Sequence, residues 1–99
     1  MTLDDAGFAT LADRTLERIL DAVEGALPDA DAELRGGILT IEANGGTFVV
    51  NKHAPNREIW LSSPVSGAWH FAWDGDAWVS TRGKEQLEAI IRADLGVDF

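Results

Sequence analysis

The sequence predicts an α+β fold, a two-layer sandwich in which two helices pack on one face of a six-stranded, largely antiparallel sheet. Two observations predict it. Amphipathic patterns with helical spacing occur near the two ends of the chain, and the region between them consists of short β-type runs separated by turns rich in glycine, proline and asparagine. Short connections favour antiparallel neighbours, and helices that flank such a sheet cover one of its faces. The expected order is α-β-β-β-β-β-β-α.

Length, charge and composition exclude several classes of protein. A chain of 99 residues has room for one core, so a single domain over residues 1–99 is expected. A net charge of −9 argues against nucleic acid or an anionic membrane as a partner. The absence of cysteine excludes disulfides, a thiol nucleophile and a thiolate metal site. No signal, transit or membrane-spanning pattern is seen, which predicts a cytoplasmic, bacterial protein.

The first element is a helix predicted over residues 4–27. Apolar side chains recur there at intervals of three and four, so they gather on one side of a helix. Thr2 or Asp4 is suited to cap the first turn, and Pro28 ends the helix. The predicted core-facing residues are Phe8, Leu11, Ala12, Thr15, Ile19, Val23 and Ala26.

Acidic side chains form a column on the opposite side of this helix, within an arc of about 80°. A solvated face that keeps the protein soluble is the plain explanation. Like charges four residues apart, however, cost about 0.2–0.5 kcal/mol per pair, which disfavours that explanation. Residues 1–42 carry ten acids against three bases, whereas residues 43–99 carry seven against five, so the negative charge is concentrated in the first part of the chain. The column consists of Asp13, Glu17, Asp21 and Glu24.

Six short runs between the helices predict the strands of the sheet. Gly36-Gly37, Asn44-Gly45-Gly46 and Asp74-Gly75 are tight-turn sequences between consecutive runs. A closing amphipathic helix is predicted over residues 84–95, with Gly96 as its C-terminal stop. The predicted strands are 31–35, 38–42, 47–52, 58–62, 69–73 and 77–80.

The turns around Pro55 and Pro64 predict a register for the central strands. A turn centred near residues 54–57 places Asn51 opposite Trp60, and the next turn places Trp60 opposite His70. Directly opposed residues share a face, so these three residues are expected to form one row on the face without helices. The alternative for Trp60 is a packing role beneath a loop. The opposite face is expected to send Phe48, Val50, Ile59, Leu61, Phe71 and Trp73 into the core, together with Trp78.

Residues 51–67, NKHAPNREIWLSSPVSG, carry the most specific motif of the chain. With GGILTIEANGGTFVVNK at its start and FAWDGDAWV after it, this motif resembles the frataxin family, which includes the bacterial CyaY proteins. The likeness extends to LADRTLERILDAVE in the first helix and to the closing helix, so it covers nearly the whole chain. The chain differs from the family pattern in three ways. His53 stands where glutamine is usual, and His70 where eukaryotic members tend to have arginine. Ala22 and Gly25 stand where more acidic relatives have further carboxylates.

The resemblance implies an iron-binding accessory protein of iron–sulfur cluster assembly. In that family an acidic ridge binds Fe²⁺ or Fe³⁺ weakly and exchangeably, and the sheet face docks onto a cysteine desulfurase and its scaffold protein. The resemblance also implies a monomer when iron-free and allows iron-driven oligomers. The metal-binding residues implied here, which we call the acidic ridge, are Asp13, Glu17, Asp21, Glu24, Asp29, Asp31 and Glu33. The implied partner-binding residues are Asn51, Lys52, His53, Pro55, Trp60 and His70.

The ligand chemistry agrees with this interpretation, and two others compete with it. Carboxylate oxygens are hard ligands that also tolerate other divalent metals such as Mn²⁺ or Co²⁺. One competitor is a metal-independent acidic protein-binding module, for example a secretion chaperone. The other is a ferroxidase-type enzyme, as attributed to some relatives; the sequence lacks the Glu-x-x-His motif of a di-iron site, so we expect no enzyme. His53 and His70 are expected at the surface, where they would make docking sensitive to pH or add a second metal site.

Overall fold

Two helices and six strands follow one another in the predicted order. The computed structural model describes residues 4–97, and no helix among them is long and apolar enough to cross a membrane. A single 3₁₀ turn, Ala54–Asn56, joins the third and fourth strands. The elements are α1 (Asp5–Ala26), β1 (Asp31–Arg35), β2 (Ile38–Ala43), β3 (Gly46–His53), β4 (Glu58–Ser63), β5 (Gly67–Trp73), β6 (Trp78–Ser80) and α2 (Leu87–Leu95).

Helix α1 begins and ends close to the predicted positions. Asp4 is its N-cap, because the Oδ1 atom of Asp4 accepts a hydrogen bond from the backbone N–H of Gly7 at 2.6 Å. The alternative cap, Thr2, lies outside the described residues. Two predicted contacts need correction: Ala26 is exposed at the end of the helix, and Leu16, absent from the prediction, is fully buried on the flank of the apolar face. The buried residues of α1 are Phe8, Ala12, Thr15, Leu16, Ile19 and Val23.

The sheet is antiparallel throughout, and its strands lie in the order in which the chain forms them. Two-residue turns set the first two registers. Asn44 and Gly45 have φ angles of 54° and 78°, and Gly36 and Gly37 have φ angles of 60° and 79°. Positive φ at both central residues is the backbone geometry that matches the twist of a hairpin. Strand β5 begins at Gly67, two residues earlier than predicted, because Gly67 still pairs with Ser63.

The core lies between the helices and one face of the sheet. Trp78 is buried there and packs edge-on against Phe8, with 6.0 Å between the ring centres. Its Nε1–H donates to Thr15 Oγ1 at 3.0 Å, and the Thr15 hydroxyl donates to the carbonyl of Leu11 at 2.8 Å. These bonds satisfy the polar groups that the core encloses. The predicted core residues Phe48, Val50, Ile59, Leu61 and Phe71 are buried, and Trp73 is half-buried against them.

Helix α2 begins at Leu87, so the predicted start at residue 84 is wrong. The segment before it remains extended: the carbonyl of Glu85 accepts a hydrogen bond from the N–H of Ser80 at 2.7 Å, and Gln86 forms a β-bridge with Val79. Pairing with β6 therefore replaces the first helical turn. The predicted end is confirmed, because Gly96 has a φ angle of 71° and caps the helix.

Candidate functional site

The face of the sheet without helices carries the predicted row. Asn51 is paired with Trp60 and Trp60 with His70, as the turn lengths indicated. Ile38 pairs with Asn51 and is 44% exposed, which extends the row by an accessible apolar side chain. Arg35, opposite Ile38, ends the row at the edge of the sheet. The row therefore crosses five strands and combines apolar, aromatic and polar side chains.

Trp60 is held between two imidazole rings. The ring of His53 lies parallel to it, with 3.6 Å between ring centres and 10° between planes. The ring of His70 covers the other face, at 4.1 Å and 6°. His53 reaches this position because it lies two residues beyond Asn51 in β3 and therefore shares its face. The strand phase and the predicted pairing of Trp60 with His70 were sequence signals for this stack. His70 was predicted in the row and both histidines were implied as partner-binding residues, but neither was predicted to stack on the Trp60 ring.

Glu58 fixes the edge of the Trp60 ring. Its Oε1 atom accepts a hydrogen bond from Trp60 Nε1 at 2.8 Å and lies 4.0 Å from His70 Nδ1. The Glu58 side chain is only 18% exposed, so its carboxylate is partly enclosed by the rings. His53 Nδ1 is buried and has no hydrogen-bond partner within residues 4–97. We call His53, Trp60, His70 and Glu58 the aromatic stack.

The turn after β4 is tied to α2. Ser63 Oγ accepts hydrogen bonds from the N–H groups of Val65 and Ser66, at 3.0 and 3.1 Å, and its hydroxyl donates to Asp94 Oδ2 at 2.7 Å. The Ser66 hydroxyl donates to the same carboxylate and accepts from Trp69 Nε1 at 2.9 Å. The serines of the motif thus hold the turn that sets the pairing of β5 with β4.

Two of the predicted partner-binding residues lie apart from the row. Lys52 pairs with the buried Ile59 and lies on the helix side of the sheet, where its Nζ atom contacts Asp13 Oδ1 at 2.8 Å. Pro55 is exposed in the 3₁₀ turn at the end of β3. The structure therefore brings together four of the six residues, and partner contact for all six stays a prediction.

The acidic ridge is spread over two layers of the molecule. Glu17, Asp21 and Glu24 are exposed on α1, whereas Asp13 is half-buried beside Lys52. The neighbouring strand β1 and the turn before it provide the remaining three carboxylates, all exposed. Those of β1 lie on the helix-free face of the sheet, because the residues between them, Ala32 and Leu34, pack against the core. The carboxylates after α1 are Asp29, Asp31 and Glu33.

The ridge is an open surface in this structure. Within residues 4–97, no group of three or more histidine, aspartate or glutamate side chains is already arranged to hold a metal ion. One carboxylate of the ridge, Glu33, contacts Arg35 at 2.6 Å, and Asp13 contacts Lys52. A cation bound here would therefore require side chains to rearrange and water to complete its coordination.

The family model of a frataxin-like domain matches residues 1–99. The chain belongs to the frataxin family. Its fold is that of solved frataxins: frataxin from Psychromonas ingrahamii superposes with a TM-score of 0.82 over 92% of this chain and 87% of that one, at 23% identity.

Frataxin of the yeast Saccharomyces cerevisiae is more similar in sequence. A trimeric form of that protein, solved in complex with ferrous iron, is 35% identical with a TM-score of 0.77, and the match covers 97% of this chain and 86% of that one. A trimeric form with its full-length N-terminus is 34% identical with a TM-score of 0.73, covering 97% and 79%. Membership of the frataxin family therefore rests on the family model and on these sequence identities.

Proposed function

We propose that this frataxin-family chain is an iron-binding accessory protein of iron–sulfur cluster assembly, working in the bacterial cytoplasm. One observation carries the proposal beyond family membership. The carboxylates of α1 and the row around Trp60 occupy different surfaces, one on the helix layer and one on the helix-free face of the sheet. Iron held by the α1 carboxylates and a protein partner on the row could therefore be bound at the same time, whereas Asp31 and Glu33 of the acidic ridge lie on the same face as the row.

Iron is the proposed cargo of the acidic ridge. Exposed carboxylates are hard oxygen ligands, and ferrous and ferric ions accept such ligands. Because the carboxylates are exposed and not already arranged around a cation, binding would be weak and exchange rapid. Mn²⁺ and Co²⁺ should compete. The ferrous complex of the 35% identical yeast frataxin supports this choice of metal.

The proposed partner of the helix-free face is the cysteine desulfurase together with its scaffold protein. Trp60 lies in the middle of the row and is partly exposed, and aromatic residues near the centre of an interface are typical binding anchors. Ile38 adds an accessible apolar group beside Asn51. This protein would regulate the partner's chemistry without being an enzyme itself.

A sulfur-transfer assay separates this proposal from the alternative, a metal-independent acidic module such as a secretion chaperone. Sulfide release by the cognate desulfurase and scaffold would be measured with and without Fe²⁺. We expect the native chain to change the rate in an iron-dependent way, and Trp60→Ala to have no effect on the rate. A rate that the native chain leaves unchanged under both conditions would favour the metal-independent module.

A pair of charge variants tests the iron surface in the same assay. Glu17→Gln with Asp21→Asn removes two charges from α1, and Glu42→Gln with Asp76→Asn removes two exposed charges elsewhere. We expect the α1 pair to weaken the iron dependence while docking persists, and the control pair to behave like the native chain. An equal loss of iron dependence in both pairs of variants would mean that only the net charge matters, and the assignment of iron to the acidic ridge would be wrong.

A further inference from the structure

Trp60 is an unusual anchor because neither face of its ring is open. His53 and His70 cover the two faces at 3.6 and 4.1 Å, and their planes lie 10° and 6° from the plane of the indole. Its only N–H already donates to Glu58. A partner that approaches this ring can therefore reach only its carbon edge, and it meets the edges of the two imidazoles at the same time.

The packing of the stack restricts the motion of the Trp60 side chain. Rotation about the side-chain bonds would separate the ring from both imidazoles and break the hydrogen bond to Glu58. Stacked aromatic pairs are stabilised by an amount that corresponds to about two- to twelvefold in an equilibrium constant per pair. A side chain that is already fixed loses less conformational freedom when it binds, so preorganisation increases affinity.

We propose that His53 and His70 are positioning residues that clamp Trp60 in an edge-on orientation for docking, against an apolar slot on the partner protein. The inference rests on the proposed function, since it assumes that the helix-free face is the docking face. It gives His53 and His70, already implied as partner-binding residues, a role that acts through Trp60. It also states the chemistry of the partner's contact surface: apolar, because the indole N–H is already occupied by Glu58.

The isolated protein tests the clamp without any partner. The order parameter of the Trp60 Nε1–H bond, from ¹⁵N relaxation, reports the motion of the ring. We expect it to fall in His53→Ala and in His70→Ala, and to be retained in His53→Phe and His70→Phe, which keep a ring on each face. Trp78 Nε1–H, bonded to Thr15 in the core, is the internal control. An unchanged order parameter in both alanine variants would overturn the clamp.

Measurements of docking affinity distinguish an error in the clamp proposal from an error in the proposed function. With the cognate desulfurase–scaffold complex, each alanine variant should bind about two- to twelvefold more weakly than the native chain, and each phenylalanine variant should bind with nearly native affinity. If Trp60→Ala loses binding while both histidine variants keep it, the clamp alone is overturned. If Trp60→Ala also binds normally, the docking face and the clamp are both wrong.

Discussion

Asp13 and Lys52 form an ion pair. The family resemblance had implied metal binding for Asp13 and partner binding for Lys52. Lys52 Nζ lies 2.8 Å from Asp13 Oδ1, and the lysine side chain is only 23% exposed. Its stem packs over Gly37, where an added Cβ would come within 2.9 Å of Lys52 Cε. Asp13 therefore differs from Glu17 and Asp21, since a cation at Asp13 has to compete with an ammonium group that is already there.

Replacement of Lys52 should expose this competition. Lys52→Met keeps the aliphatic stem and removes the charge, so we expect affinity for Mn²⁺ or Fe²⁺ to rise about two- to fivefold, which corresponds to the value of such an ion pair. The free energy of unfolding should fall by about 0.2–1 kcal/mol. Anaerobic calorimetry would measure the binding, with the exposed Lys84→Met as the matched control. Equal gains in both variants would mean that net charge, and not the ion pair, limits binding.

Turns and hairpins decide where the docking row lies. The β2–β3 hairpin ends against the turn after β4, because Gly46 packs on Pro64: a Cβ at Gly46 would lie 2.7 Å from Pro64 Cγ. Ser63 and Asp94 hold the same turn from the helix side. Contacts from the β2–β3 hairpin and from α2 therefore both stabilise the turn that sets the register of Trp60 with His70.

Gly46→Ala tests the contact between the two turns. Gly46 does not need a positive φ angle, so the expected loss of about 1–3 kcal/mol in unfolding free energy comes from overpacking against Pro64. Gly25→Ala is the control, and we expect it to change the unfolding free energy in the opposite direction. Gly25 lies in α1 and an added Cβ would have no atom within 4 Å, so this variant should stabilise the fold by about 0.4–1 kcal/mol. Urea unfolding would measure both. A stabilising Gly46→Ala would show that the turns can separate at no cost.

Asp74 makes the β5–β6 turn sensitive to acid. The backbone N–H groups of Asp76 and Ala77 each donate to the Oδ1 atom of Asp74 at 2.8 Å. These bonds, the one from Asp76 having the largest effect, hold the pKa of Asp74 below its ordinary value. A carboxyl group with a lowered pKa in the folded state stabilises the fold above its unfolded-state pKa of about 3.9, and that contribution disappears as the pH falls through the folded-state pKa.

The expected result is a melting temperature for Asp74→Ala that lies below the native value at about pH 6 and approaches it at about pH 2.5. Asp76→Ala is the control, because the structure uses the backbone of that residue in the turn and not its side chain. A difference between Asp74→Ala and the native chain that stays constant with pH would contradict the role given to the ionised carboxylate.

Local patterns in the sequence were sufficient to predict the six strands to within two residues and the register of β3, β4 and β5. Alternation and turn residues place Asn51, Trp60 and His70 in one row, because antiparallel pairing converts turn length directly into register. The start of α2 was missed because the pairing of Gln86 with Val79 depends on the neighbouring strand. The contact between Lys52 and Asp13 was missed for a similar reason: a long side chain bridges the sheet and α1, and only the packing of the layers fixes its partner.

At the scale of the whole molecule, the α1 carboxylates and the aromatic stack lie on different surfaces, while Asp31 and Glu33 share the helix-free face with the stack. Helix α1 presents carboxylates to solvent on the layer that covers one face of the sheet, and the other face presents the aromatic stack. The two edges of the sheet are short or charged: β6 has three residues, and β1 alternates charged with half-buried side chains. Such edges disfavour strand-to-strand aggregation, and the helix-free face is the one broad face of the sheet left for binding.

The separation of the two surfaces is the central claim, and a crossed binding experiment tests it most directly. Calorimetry would give the dissociation constants for Fe²⁺ and for the cognate desulfurase–scaffold complex with three proteins: native, Trp60→Ala, and Glu17→Gln/Asp21→Asn. We expect Trp60→Ala to bind iron normally and to lose at least about 2 kcal/mol of partner binding. The α1 variant should bind the partner normally and bind iron more weakly. Loss of both activities in either variant would contradict two separate surfaces.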